Sequence, residues 1–260
     1  MNCIYKVLFF SLLLIVNVTN ASEPDSPLVV NLPALSLNLT YPSPIRLAQV
    51  LADTEKTIRN KGKAPVFWLA AQLLDKNKNP QIMQLKSDLI TQLIHLGQLD
   101  QSTKIKVSYL IAFIENNAFN YRHFINLDND LIRIQDQLNP LLTGDLTLLT
   151  PPRTNQIRIV GGQVKNQQLP HIAHYAINDY LALISLPEEN GTSNTYIIQP
   201  DGFVDKVNNA YWNKTSSFLA PGTTLFLGFK HLPSQFSSLN EQIADLLRYL
   251  SPLTVVGTIQ

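Results

Sequence analysis

Apolar and polar residues alternate early in the chain, in Leu28-Val29-Val30-Asn31-Leu32 and again in Leu35-Ser36-Leu37-Asn38-Leu39, with Pro33 between them. A period of two puts one set of side chains on one face of a strand, so residues 26–41 predict two short strands joined by a turn, a hairpin. Ser43-Pro44 then precedes Ile45-Arg46-Leu47-Ala48-Gln49-Val50-Leu51. Serine offers an N-cap and proline a first-turn residue, so a short helix is expected there. From about residue 65 to 117 the period lengthens. Apolar positions recur at helical spacing in Trp68-Leu69-Ala70-Ala71-Gln72-Leu73-Leu74, over 82–96 and over 105–114, broken by Lys76-Asn77-Lys78-Asn79-Pro80 and Gly97-Gln98-Leu99-Asp100. This block reads as helical, with loops at its breaks. Strand character returns in Leu131-Ile132-Arg133-Ile134 and Asp145-Leu146-Thr147-Leu148-Leu149, separated by Asn139-Pro140 and Gly144. The helical block is therefore an insert in a β-containing unit.

A second unit follows Pro151-Pro152: a strand at Ile157-Arg158-Ile159-Val160, a helix signal at Asn178-Asp179-Tyr180-Leu181, and two alternating runs around Pro200-Asp201-Gly202. That corner is a hairpin signal, because glycine tolerates the positive φ of a tight turn and proline presets its first residue. Pro221-Gly222 leads into a closing strand at Thr224-Leu225-Phe226-Leu227-Gly228-Phe229. Strand, short helix, hairpin and closing strand describe a small α+β unit. At the end, Phe236, Leu239, Ile243, Leu246, Leu247 and Leu250 share one helical stripe, with Ser237 and Ser238 as candidate caps, Glu241 in the first turn and Ser251-Pro252 as the stop. The stripe predicts an amphipathic helix that packs on its own domain or, failing that, docks on a partner.

The ends and the composition narrow the setting. Residues 7–18 form a mostly apolar run after Lys6, too short to span a bilayer, followed by Thr19-Asn20-Ala21. Residues 1–21 are expected to be a secretory signal, cleaved after Ala21. The one cysteine, Cys3, precedes the run and would leave with it, so disulfides and thiolate metal sites drop out of the mature chain. The 20 basic and 19 acidic residues nearly cancel, which argues against nucleic acid or an anionic membrane as the main partner. No further run of eighteen apolar residues occurs, so no stable membrane insertion is expected after cleavage.

Three ordered segments, Tyr41-Pro42-Ser43-Pro44-Ile45-Arg46-Leu47, Asn139-Pro140-Leu141-Leu142-Thr143-Gly144 with Pro152-Arg153, and Tyr196-Ile197-Ile198-Gln199-Pro200-Asp201-Gly202, are joined by Tyr211-Trp212-Asn213, Ala220-Pro221-Gly222 and Leu239-Asn240. Together they resemble the GfcC-type capsule biosynthesis family, periplasmic proteins of group 4 capsule and related exopolysaccharide systems in Gram-negative bacteria. The resemblance covers most of the mature chain. It implies an α+β fold of two tandem β-grasp domains, with a helical insertion in the first and a C-terminal amphipathic helix, akin to periplasmic domains of Wza-type polysaccharide exporters. The expected boundaries are 22–152 for the first domain with its insert at about 62–118, 153–233 for a second, SLBB-like domain, and 234–260 for the helix and tail. The implied role is that of a non-catalytic accessory in the periplasm. Its partners would be a capsular polysaccharide or exopolysaccharide, a Wza-type outer-membrane export protein, or both, and no cofactor is implied.

Catalytic chemistry has little to work with in this sequence. His171-Ile172-Ala173-His174 lacks a third metal ligand at sensible spacing, and no metal site is expected. Glu188-Glu189 and Asp128-Asn129-Asp130 are acids of polar stretches, ordinarily solvated loop residues. They leave a glycan-modifying enzyme working through carboxylates as the alternative function. Sugar recognition calls for aromatic faces and for the planar, bidentate donors of arginine. Arg133, Arg153, Tyr211 and Trp212 have that chemistry and are the candidate ligand-binding residues.

Overall fold

The computed structural model describes residues 27–161, 164–184, 194–208 and 218–253. The expected leader, and Tyr211 and Trp212 among the candidate residues, lie outside these. In chain order the elements are β1 (Leu28–Leu32), β2 (Leu37–Tyr41), β3 (Ile45–Arg46), α1 (Leu47–Asn60), β4 (Gln72–Asp75), α2 (Asn79–Gly97), α3 (Gln101–Asn116), β5 (Arg122–His123), α4 (Asn129–Ile134), β6 (Leu141–Leu142) and β7 (Gly144–Leu149). Then follow β8 (Gln156–Gly161), β9 (Gln167–Pro170), α5 (Ile177–Ala182), β10 (Asn194–Ile198), β11 (Val204–Asn208), β12 (Thr224–Leu227) and α6 (Leu239–Leu247).

Two five-stranded sheets repeat one topology. The first runs β2-β1-β7-β4-β5 and the second β11-β10-β12-β8-β9. Numbered by their own five strands, both read 2-1-5-3-4. In each the first and last strands pair in parallel at the centre, flanked by antiparallel pairs. In each a helix, α1 or α5, joins the second strand to the third. The fold is α+β, with two tandem β-grasp domains, an insertion in the first and an amphipathic C-terminal helix.

Each sheet buries one face under its own helix. Leu47, Val50, Leu51 and Ile58 of α1 lie at helical spacing and cover Leu28, Val30 and Leu32 of β1 with Leu146 and Leu148 of β7. Ile177, Tyr180 and Leu181 of α5 cover Ile157, Ile159, Ile197, Leu225 and Leu227. The opposite face of the second sheet, with Val160, Tyr196, Ile198 and Phe226, is covered by α2, α3 and α6. The first domain therefore lends its inserted helical hairpin to the second domain's core. Leu239, Ile243 and Leu246 of α6 are fully buried there, each contributing about 2 kcal/mol relative to an exposed position. The helix is core, the first of the two outcomes its stripe left open. Buried Asn240 pins it to the strand end, accepting from the Phe229 N–H at 2.8 Å and donating to the Phe229 carbonyl at 2.9 Å.

Four local expectations are corrected. Leu131-Ile132-Arg133-Ile134 is not a strand but most of α4, because Asp128 accepts from the N–H groups of Asp130 and Leu131 and caps a helix there. Only Ile132 of that run is buried, and Ile134 is 75% exposed. Trp68 to Leu74 is not helical: Trp68–Ala70 is a 3-10 turn and Gln72 opens β4. Gln72, Leu73 and Leu74 are all buried because both faces of β4 are covered, Leu73 in the core under α1 and Gln72 against the Leu250 carbonyl, so the alternation that marks a half-exposed strand is missing. Ser43-Pro44 does not cap α1. That helix begins at Leu47, and its first N–H groups go to the Pro140 carbonyl and the Asn139 side chain, 2.9 Å each, from the far end of the domain. The Ser238 hydroxyl caps no backbone N–H of α6, taking a hydrogen bond from the Gln242 side chain instead.

Candidate functional site

The seam between the two domains is built on the turn Gln199-Pro200-Asp201-Gly202-Phe203. It joins β10 to β11, and is closed by hydrogen bonds from the Gly202 N–H to the Gln199 carbonyl and from the Gln199 N–H to the Phe203 carbonyl. Three successive carbonyls of the turn face arginines. Arg122, in β5 of the first domain, donates its two terminal nitrogens to the Pro200 and Asp201 carbonyls at 2.9 Å each. Arg248, just past α6, donates Nε to the Gly202 carbonyl at 2.9 Å. Gly202 has φ +89, and a Cβ there would come within 2.5 Å of the Phe124 ring. Only glycine supplies both the conformation and the clearance.

The Phe124 ring is the hub of the seam. The Arg248 guanidinium lies 4.1 Å from its centroid, the Arg122 guanidinium 5.4 Å, and the Tyr249 ring packs edge-on at 5.2 Å. Cations against an aromatic face gain from its quadrupole, most of all where water is scarce. Arg122 is only 4% exposed. Burial lowers its pKa to about 10, opposed by Asp201 and reinforced by Arg248, so it stays charged at neutral pH.

Beside this hub opens a cleft of about 490 Å³ between the domains. Trp68, Leu69, Phe124 and Leu131 line it from the first domain, Asp201 and Phe203 from the second, with Arg248 at the junction. Phe203 is 64% exposed. The volume falls within the range of small-ligand sites. Two carboxylates on the rim are already engaged with backbone: Asp128 caps α4, and Asp201 accepts from the Phe203 N–H at 2.9 Å. The cleft can thus stack flat rings and offer a guanidinium beside them.

Of the sequence candidates, Arg133 is exposed in the last turn of α4, two residues beyond the cleft-lining Leu131. Arg153 is exposed on the link between the sheets, its guanidinium 5.2 Å from the Phe67 ring. The structure does not bring these two arginines together in one cavity. His171 hydrogen-bonds the Leu219 carbonyl through Nε2 at 2.8 Å, and His174 occupies a left-handed turn. Among the described residues, no group of three or more His, Cys, Asp or Glu could hold a metal ion. Sequence reasoning missed Trp68, Arg122, Phe124, Phe203 and Arg248. The signal available was the interleaving of cations and aromatics in Tyr121-Arg122-His123-Phe124 and Arg248-Tyr249.

Two tandem β-grasp sheets are thus locked across an arginine-held turn, with an aromatic cleft between them. Residues 26–153 match the family described as capsule biosynthesis GfcC, N-terminal, and residues 165–251 the one described as capsule biosynthesis GfcC C-terminal. The chain belongs to the GfcC capsule biosynthesis family. It is also 26% identical over 210 residues to the protein YjbG of Escherichia coli strain K12, an alignment covering 78% of this chain and 84% of that protein.

Proposed function

We propose that this protein is a non-catalytic periplasmic accessory of capsule or exopolysaccharide assembly or export, and that it binds glycan in the cleft between its two β-grasp domains. Family membership supports the capsule role. The observation that carries the binding site is the cleft lining, where exposed Phe203 and the Trp68 and Phe124 rings stand beside Arg248. Aromatic faces stack on the apolar faces of sugar rings, and guanidinium answers hydroxyls or acidic substituents. A carboxylate enzyme would need acids free to face the substrate, and the engagement of Asp128 and Asp201 with backbone speaks for binding. Arg133 and Arg153 are proposed as outer contacts for a longer polymer, and Tyr211 and Trp212 as further ligand-binding residues.

Calorimetric titration of the mature protein with its native capsular polymer is expected to show saturable binding, with the polymer's length distribution unchanged afterwards. Shortened or transferred chains, lost on substituting Asp128 or Asp201, would establish the enzyme instead. A second reading, docking on a Wza-type export protein, is favoured by the exposed Met83, Ile94, Leu99, Ile105 and Tyr109 on the α2–α3 hairpin. Heat-silent polymer titrations, together with crosslinking to the exporter through this hairpin, would select that reading.

A further inference from the structure

Apart from the open cleft, and sharing only Arg248 with it, a small cavity of about 30 Å³ lies in the seam. Gln72 of β4, Arg122 of β5, Arg158 of β8 and Arg248 line it, and its lining contains no aspartate or glutamate. Arg158 is 8% exposed. Among the described residues no carboxylate pairs with its guanidinium, which lies 5.7 Å from the Phe113 ring. Burial lowers its pKa to about 10, which leaves it protonated at neutral pH. Arg122 uses its terminal nitrogens on the turn, but its Nε has no partner. Gln72 donates Nε2 to the Leu250 carbonyl at 3.0 Å, and that bond fixes the amide so that Oε1 is the orphan acceptor. Buried charges without counter-ions, and buried polar atoms without partners, are costly enough that proteins rarely leave them so.

These three groups are complementary to one kind of ligand. The guanidinium and the Arg122 Nε require an acceptor, preferably negative, and Gln72 Oε1 requires a donor. A cavity of this size exceeds the ~10–15 Å³ that one water needs. It has room for about two water-sized atoms, such as the oxygen edge of a small anion. We propose that the seam cavity is a binding site for a small oxyanion that also carries a hydroxyl, either hydrogen phosphate or the carboxylate end of a hydroxy acid. Arg158 and Arg122 Nε bind the anionic oxygens and Gln72 Oε1 accepts from the hydroxyl. Because the cavity joins strands of both sheets with the segment after α6, occupancy stabilises the seam itself.

Thermal unfolding of the full mature chain tests this, at constant ionic strength, with sodium chloride, phosphate, glycolate or acetate. Phosphate, glycolate or both are expected to raise Tm saturably, on the order of 5–10 °C at a hundredfold excess over Kd. The two salts separate the inorganic from the carboxylate source. Acetate, lacking the hydroxyl, should do less than glycolate, and an equal effect would overturn the role given to Gln72. Arg158→Met should keep or raise Tm in chloride, because it removes a largely buried charge that no carboxylate balances, and should abolish the anion-dependent rise. If that variant does not fold, Arg158→Gln serves the same comparison. No response of the wild type to phosphate or glycolate, or a rise that survives loss of Arg158, would overturn the proposal.

Discussion

The two domains share a strand order but differ in how the third strand reaches the fourth. In the first, that link is the α2–α3 hairpin between β4 and β5; in the second, it is the five-residue turn 199–203. The long link leaves its own sheet and covers the far face of the other, and the short link presents three carbonyls to arginines at the domain seam. One topological position thus gives reach in one domain and a tight docking point in the other. Neither unit buries all its apolar surface alone, since the second sheet's far face is roofed by helices encoded mostly in the first. The cleft exists because the two links hold the domains against each other.

Breaking the short link should have the largest effect. Gly202→Val must place a Cβ against the Phe124 ring at positive φ, and should cost about 3 kcal/mol or more in urea-denaturation midpoints. Arg122→Met removes two charge-assisted bonds to the turn carbonyls; a loss of about 3 kcal/mol is expected, and amide exchange should speed up around residues 199–203. Asn240→Ala tests the roof, leaving both backbone groups of Phe229 unpaired, with an expected cost of about 2 kcal/mol by thermal unfolding. Asn139→Ala strips the first turn of α1 of its remote acceptor; about 1 kcal/mol follows, confined to the first domain's exchange pattern.

The smallest effect concerns Glu241, which takes hydrogen bonds from Lys206 at 2.7 Å and Tyr196 at 2.9 Å. Burial pushes its pKa up, but bonds from Lys206, the backbone and Tyr196 outweigh this and hold it below the ordinary value. A depressed folded-state pKa means that the contribution is present above the usual carboxylate range and fades as pH falls through the folded value. Lys206 and Glu241 are both well exposed, so Glu241→Gln should cost less than about 1 kcal/mol at pH 7 and nothing at pH 3.

What could be read from the sequence follows burial. β1 and β2 alternate because their outer face is polar, down to the Asn31–Asn38 pair at 2.6 Å, and their hairpin was legible. The turn at Pro200-Asp201-Gly202 and the stripe of α6 were equally plain. β4 was not, because a strand buried on both faces loses its period, and the mostly apolar run 68–74 beside a helical block reads as more helix. Asn139-Pro140 was visible as a motif, yet its work of capping a helix 91 residues earlier depends on the closed fold. The site was least legible. Arg133 and Arg153 have the right chemistry on exposed positions, whereas Arg122 and Arg248 gain their roles only when the β10–β11 turn is brought against them.

The proposed glycan cleft can be tested directly through Trp68, which lines it. In a Trp212→Phe background, which leaves Trp68 as the sole tryptophan, titration with the native polymer should shift Trp68 emission saturably. Phe203→Ala should weaken the apparent affinity about tenfold, or about 1.4 kcal/mol. Calorimetric binding of the polymer with Trp68 emission unmoved and Phe203→Ala without effect would place the glycan elsewhere and contradict the account.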